Sequence, residues 1–373
     1  MSPDEEGGRP VGPSDRSEEE VLDAIERRRR RPHVKLMDEH ITLAHGAGGK
    51  SSHTLVETLF VRKFANPLLA ELGDAAYLQP TPDGPRLAFS TDGSVVKPRF
   101  FPGGDIGELA VNGTVNDLAM AGARPLWLSA SFILEEGLAT AELARVVDSM
   151  AAAAQRAGVV IATGDTKVVE RGQADGLYIT TAGVGVVERD ITLSPAQVRP
   201  GDRVIVSGSI GDHGMAIMIA RGELELETDL RSDTAPLHEL TAGLLDATSE
   251  VRWLRDPTRG GVATVLTELA LAAELGVVLD EAALPIRDEV NGACEILGID
   301  PLYVANEGKL VAVVGPEGVD AALAALRAHP LGADAAVIGE VQEEPPGMVI
   351  LETAFGGSRV VDMLAGDPLP RIC

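Results

Sequence analysis

From Ile41 onward the chain is written in short apolar runs broken by glycine, and the runs Arg86 to Ser90, Leu126 to Leu134 and Tyr178 to Val187 read as strands. Between them lie the alanine-rich stretches Gly104 to Ala123 and Thr140 to Ala157, whose spacing suits helices packed on a sheet. Ser194-Pro195 and Pro200-Gly201-Asp202 then punctuate the chain ahead of the apolar run Val204 to Val206. The second half repeats the style, with helical patterns at Gly261 to Leu275 and Val319 to Ala328, strands at Lys309 to Val314 and Ala336 to Val341, and a last strand pair near Met348 to Asp362. No short-period repeat is present.

These patterns predict an α/β (α+β) protein of two domains, residues 37–193 and 194–364, flanked by two polar segments. Residues 1–36 carry the charge blocks Glu18-Glu19-Glu20 and Arg27 to Arg31 and cannot bury enough apolar surface to fold alone, which predicts a disordered extension. Residues 365–373 hold two prolines and a glycine, which forbid a helix and predict an extended, mobile tail ending in Cys373.

A length of 373 residues allows two ordinary cores. The 57 acidic against 32 basic side chains give a net charge of -25, which argues against duplex nucleic acid or an anionic membrane as a partner. An anionic ligand such as a nucleotide then needs local glycine loops, lysines or metal cations at its site. No apolar run is long enough to span a bilayer, and Met1 to Gly12 has no hydrophobic signal core, so the expectation is a cytoplasmic protein. Two cysteines, Cys294 and Cys373, make no disulfide framework.

Four sets of residues carry candidate chemistry. His45-Gly46-Ala47-Gly48-Gly49-Lys50-Ser51 follows a predicted strand and opens a helical pattern, where backbone amides can cradle phosphate; a plain glycine turn is the alternative, and the Walker pattern fails because Ala44 stands where its first glycine belongs. Carboxylates beside small residues form the second set: Asp74, Asp92, Asp105, Asp117 and Asp165, the last within Gly164-Asp165-Thr166-Lys167. Hard Mg²⁺ prefers such oxygens. On a helix Asp105, Asn112 and Asn116 fall near one face with Asp117 adjacent, although each Asp alone also suits a turn or a helix cap. The third set is Asp256-Pro257-Thr258-Arg259-Gly260-Gly261 together with Asn306-Glu307-Gly308-Lys309, in which Arg259 is suited to phosphate oxygens and a turn is again the alternative. The fourth is Cys373, a thiol on a proline-stiffened tail that can swing into a site and out to a partner, whereas Cys294 reads as buried packing.

In their order and spacing over residues 37–373, these motifs resemble the HypE family of hydrogenase maturation factors, the carbamoyl dehydratases. That family lies within the superfamily of aminoimidazole ribonucleotide synthetase, selenophosphate synthetase and thiamine-monophosphate kinase. The resemblance rests on Ser90-Thr91-Asp92-Gly93 through Asn112-Gly113-Thr114-Val115-Asn116-Asp117-Leu118, on Gly164-Asp165-Thr166-Lys167-Val168, on Asp256 to Gly261, and on the terminal Pro370-Arg371-Ile372-Cys373. It implies a homodimer whose N-terminal domains share a β-barrel, an α/β sandwich as the C-terminal domain, and ATP with Mg²⁺ in the cleft between domains. Asp74, Asp92, Asp117 and Asp256 would hold the metal. His45, Gly46, Gly48, Gly49, Asp105, Asn112, Asn116, Asp165, Thr166 and Arg259 would surround the nucleotide. The implied reaction dehydrates a carboxamide on Cys373 to a thiocyanate, with Lys167 and Glu307 handling protons. A HypF-type carbamoyltransferase would load the cysteine, and HypC- and HypD-type proteins would accept the cyanide. A small-molecule kinase or synthetase of the same superfamily, and a non-catalytic docking protein, are the competing readings; the absence of cysteine from His45 to Ser51 counts against selenide chemistry.

Overall fold

The computed structural model describes residues 38–64, 66–222, 226, 228–364, 366 and 369–373. The N-terminal extension, with Arg27 to Arg31, lies outside the described residues.

Short helical turns run from Leu43 to Ala70. They are followed by β1 (Ala76–Leu78), β2 (Arg86–Ser94), a small ribbon of β3 (Phe100–Phe101) and β4 (Gly104–Asp105), helix α1 (Ile106–Met120), β5 (Arg124–Glu135), helix α2 (Thr140–Arg156), β6 (Val160–Val169) and β7 (Leu177–Val187). The first sheet has the order β1-β2-β7-β5-β6, antiparallel except for the β5–β6 pair. Along β7, buried positions alternate with more open ones, the period of a strand with one face on a core. The buried face takes α1, which also packs against α2. A β-carbon at Gly183 of β7 would stand 2.7 Å from the Thr114 methyl, so the missing side chain is what lets α1 lie so close to the sheet. Helix α2 turns Val146, Met150, Ala153 and Ala154 inward, a stripe at helical spacing.

The second sheet contains β8 (Arg203–Val206), β9 (Val251–Arg255), β10 (Gly276–Asp280), β11 (Val311–Val314), β12 (Ala336–Gln342), β13 (Val349–Glu352) and β14 (Ser358–Val361), in the order β14-β13-β10-β12-β8-β11-β9. Strands β8 and β11 are apolar and buried throughout or nearly so, because helices cover them: α3 (Asp212–Ala220), α4 (His238–Ala247), α5 (Gly261–Ala273) and the helices Asp288–Leu297 and Val319–Ala328 belong to this half.

The two halves meet along α1. Asn116, buried, donates from Nδ2 to the carbonyls of Ala235 (3.1 Å) and Glu307 (3.0 Å) and accepts from the Leu237 N–H (2.8 Å). One side chain thus satisfies three backbone groups of the second half. Among the described residues no helix is long and apolar enough to cross a membrane.

Two expectations are corrected. The glycine loop at Gly46 to Gly49 follows a helical turn, Leu43–Gly46, instead of a strand, and the His45 ring closes that turn by accepting the Thr42 N–H at 3.0 Å. The end of the chain, expected to be extended and mobile, is docked: Leu369 and Ile372 are buried, and the Cys373 carbonyl accepts from the Val95 N–H at 3.0 Å. The prolines disfavour a helix, as read, but the apolar side chains of Leu369 and Ile372 give the tail a reason to pack.

Candidate active site

Strand β2 delivers Asp92, and α1, lying across it, delivers Asp117, whose Oδ2 accepts from the Ser90 hydroxyl at 2.5 Å. Asp256 comes from the turn that leaves β9, and Asp74 from the segment before β1. Carboxylate oxygens of Asp74, Asp117 and Asp256 all lie within 4.8 Å of one another. Arg255 pairs with Asp74 at 2.7 Å, whereas Oδ2 of Asp256 is buried with no hydrogen-bond partner among the described residues. Burial raises the Asp117 and Asp256 carboxyls well above the usual range, and neighbouring carboxylates raise them further. Burial likewise brings Asp74 to about 6 against the opposing pull of Arg255. Three carboxylates crowded at this distance, one with an orphaned oxygen, make an all-oxygen site that fits a hard divalent cation.

Glu307 is buried beside this cluster with Oε1 unpartnered among the described residues. Burial, then Asp92, Asp256 and Asp233, push its carboxyl well up, with Arg259 opposing. Its backbone N–H donates to Asp233 Oδ1 at 3.0 Å, and Lys309 holds the other oxygen of Asp233 at 3.0 Å. The Cys373 thiol senses the same groups: burial raises it, Arg259 lowers it, and Glu307, Asp92 and Asp256 raise it. In this pose the surroundings disfavour the thiolate.

The glycine loop closes over this region. Arg259 Nη1 donates to the Gly46 carbonyl at 2.9 Å, and the β-carbons absent from Gly48 and Gly49 would stand 2.7 Å from the Arg259 carbonyl and 2.2 Å from the Leu364 carbonyl. A narrow cleft runs between this loop, Gly260, Tyr303, Arg371 and Ile372. His45 faces Asp38 at 3.3 Å and Thr42, so its ring supports the loop from behind.

Other candidates fall elsewhere. Asp105 caps α1, accepting from the Gly107 and Glu108 N–H groups at 2.8 and 3.1 Å. Asn112 donates to the Thr234 hydroxyl at 3.1 Å and leaves Oδ1 buried with no partner among the described residues, while Asn116 is the bolt between the halves described above. Asp165, Thr166 and Lys167 lie on the edge strand β6, exposed along almost its whole length; there Lys167 pairs with Asp165 at 2.7 Å, and Asp165 also accepts from the Thr166 N–H. Across the sheet Asp92 aligns with Thr181, Ala130 and Gly164. Within one chain β6 is therefore three strands, or roughly 14 Å, from the strand of Asp92. The residues that sequence reasoning passed over are Arg255, Asp233 and His213, while Lys309 was read only as part of the motif Asn306 to Lys309. His213, in Gly211-Asp212-His213-Gly214, had a glycine-flanked signature that was available to be read.

The family model of the AIR synthase related protein N-terminal domain matches residues 72–187, and that of the C-terminal domain matches residues 199–352. Together with two sheets meeting at a carboxylate-lined cleft, this defines a two-domain AIR synthase related protein. The chain is 54% identical over 341 residues to the carbamoyl dehydratase HypE of Cupriavidus necator, covering 91% of this chain and 97% of that one. It is 50% identical over 337 residues to the carbamoyl dehydratase HypE of Escherichia coli, covering 90% and 99%. The crystal structure of a hydrogenase maturation protein HypE in complex with ATP superposes with a TM-score of 0.75 at 49% identity, covering 90% of this chain and 100% of that one. A HypE–HypF complex superposes with a TM-score of 0.79 at 46% identity, covering 83% and 99%. Within the AIR synthase related proteins, the chain belongs to the HypE family of carbamoyl dehydratases.

Proposed function

We propose that this protein is an ATP-dependent carbamoyl dehydratase that carries its substrate on Cys373 and supplies cyanide for the iron centre of a NiFe hydrogenase. The overall conversion is R–S–C(=O)NH₂ + ATP → R–S–C≡N + ADP + phosphate. The carboxamide oxygen leaves within phosphate, and both N–H protons are lost. The observation that carries the reading is the docking of the chain's end against the segment that follows the strand of Asp92, where the Cys373 carbonyl accepts from the Val95 N–H at 3.0 Å.

The roles follow from the geometry. Asp74, Asp117 and Asp256, with Asp92 alongside, would hold Mg²⁺, which when bound neutralises phosphate charge. Arg259 and the Gly46 to Gly49 amides face the same cleft and suit phosphate oxygens. Glu307, with a buried oxygen unpartnered among the described residues, is the group suited to taking an N–H proton as phosphate departs. Burial disfavours the thiolate in the docked pose, which favours loading by a HypF-type carbamoyltransferase with the tail out of the groove. HypC- and HypD-type acceptors would take the cyanide afterwards.

The reading includes a homodimer. β1 covers β2 only at Leu87 to Phe89, so the outer edge of Ser90 to Ser94 has no strand beside it among the described residues. At the opposite end of the sheet β6 is open, and Trp127, Val160 and Val168 are exposed around it. Two such sheets related by a twofold axis close into a barrel when β6 of each pairs with the free edge of the other's β2. Lys167 lies on the open strand β6, so in such a dimer its proton-handling role would be exercised in trans.

The test is intact-mass analysis after incubation with the carbamoylating partner, carbamoyl phosphate and Mg-ATP, with the adduct mapped by fragmentation. A carboxamide on Cys373 that becomes a cyanide adduct only with ATP is expected. No adduct, or one at another residue, would overturn the reading in favour of a small-molecule kinase.

A further inference from the structure

A second set of groups, distinct from the carboxylate cluster, converges on the end of the chain. Each backbone carbonyl from Arg371 to Cys373 accepts a hydrogen bond. Arg371 O receives the Lys97 N–H at 3.2 Å and Arg221 Nη2 at 2.5 Å, Ile372 O receives His213 Nε2 at 2.9 Å, and Cys373 O receives the Val95 N–H at 3.0 Å. The Arg371 guanidinium pairs with Asp175 and donates to the Val95 carbonyl at 3.0 Å.

His213 is the deepest of these groups, with no exposed surface. Its Nε2 faces only a carbonyl oxygen, so the network assigns the ring hydrogen there. Nδ1 then accepts from the Ser232 hydroxyl at 2.7 Å, and the Ser232 oxygen accepts the Thr234 N–H at 3.1 Å. Phe101 stands edge-on at 5.7 Å and fixes the ring plane. Burial lowers the pKa of the ring and keeps it neutral. A buried imidazole is costly unless both nitrogens are paired, and one of the two partners here is the tail itself. Withdrawal of the tail strands an N–H, so the interior of the second half is built for the docked tail.

We infer that His213, seconded by Arg221 and Asp175, is a positioning residue for the reaction: it sets the depth at which the last peptide seats and so places Sγ of Cys373 at the carboxylate cluster. The catalytic part of this inference rests on the dehydratase reading; the docking part does not.

Two measurements test it. In the first, Cys373 is alkylated with iodoacetamide, and the buried Cys294 serves as internal reference. His213→Ala should speed Cys373 modification about tenfold without changing Cys294, since one hydrogen bond in the docked state is lost. His213→Gln, which keeps an N–H donor of similar reach, should restore protection. Asp175→Asn, at a partly exposed site where folding is not at risk, should speed modification about threefold. Unchanged Cys373 reactivity in either folded variant, or an equal rise at Cys294, would overturn the inference. In the second, the carboxamide-loaded protein is followed through one turnover, where His213→Ala should slow conversion about tenfold at unchanged Mg-ATP affinity, with His213→Gln again restoring it. Wild-type protein that never converts the carboxamide would remove the dehydratase reading alone, because the alkylation contrast stands without it.

Discussion

The β-carbon that Gly113 lacks would stand 2.5 Å from Oδ2 of Asp92. Glycine inside a helix costs about 1 kcal/mol relative to alanine, and here the vacated space holds a carboxylate of the candidate nucleotide site. Gly113→Ala should displace Asp92 and weaken Mg-ATP binding about tenfold or more, as should Asp92→Asn, which removes a ligand charge. Calorimetric titration decides the matter, and unchanged affinity in both variants would remove Asp92 from the site.

The carboxylate cluster sets a pH dependence. Asp74, Asp117 and Asp256 are all raised above the roughly 3.9 of an unfolded Asp. A raised carboxyl adds stability that is complete below its unfolded pKa and is lost as pH rises through the folded value. For Asp74, brought to about 6, that loss falls between roughly pH 4 and 6, and Asp117 and Asp256, also raised, act in the same direction. The melting temperature in chelator should therefore fall from about pH 4 to 6. Mg²⁺ should recover it at the upper end, and Asp256→Asn should flatten the slope. A melting temperature that climbs across this range would contradict the crowding.

Glu307→Gln keeps size and burial but removes the proton acceptor. The single-turnover conversion of carboxamide to thiocyanate should fall by about 10²- to 10⁴-fold while Mg-ATP still binds. Conversion at the wild-type rate would assign the proton to another group.

Lys167 gives a test of the dimer. Lys167→Met chains and Cys373→Ala chains should each be inactive alone, and mixed dimers should regain activity, since the intact thiol of one chain meets the intact lysine of the other. Mixtures that stay inactive, although the chains exchange, would place Lys167 in its own chain's site.

Much of the fold could be read from spacing. The alternation in Tyr178 to Val187 and the apolar stripe in Thr140 to Ala157 belong to β7 and α2, because period 2 and period 3.6 are imposed by a single buried face. Strand β6 was read only as a carboxylate motif, since an edge strand exposed on both sides leaves no alternation in one chain. The carboxylates Asp74, Asp117 and Asp256 were legible as residue types beside small neighbours. Their convergence was not legible in the spacing, because it is made by long-range contact between β9 and α1; only the family resemblance implied it. Asp105 shows the limit of helix-face reasoning: its offset from Asn112 and Asn116 fits one face, yet at the first position of the helix its carboxylate is taken by two backbone N–H groups. The tail was misjudged because composition reports backbone freedom and does not reveal a waiting groove.

Asn116 ties three backbone groups of one half to a helix belonging to the other, and that bolt runs directly behind the reacting groups. A vice whose jaws are pinned together cannot gape to admit its workpiece. With the halves pinned there, the part left to move on the dehydratase reading is the chain's own end, held by the backbone hydrogen bonds of Arg371 to Cys373.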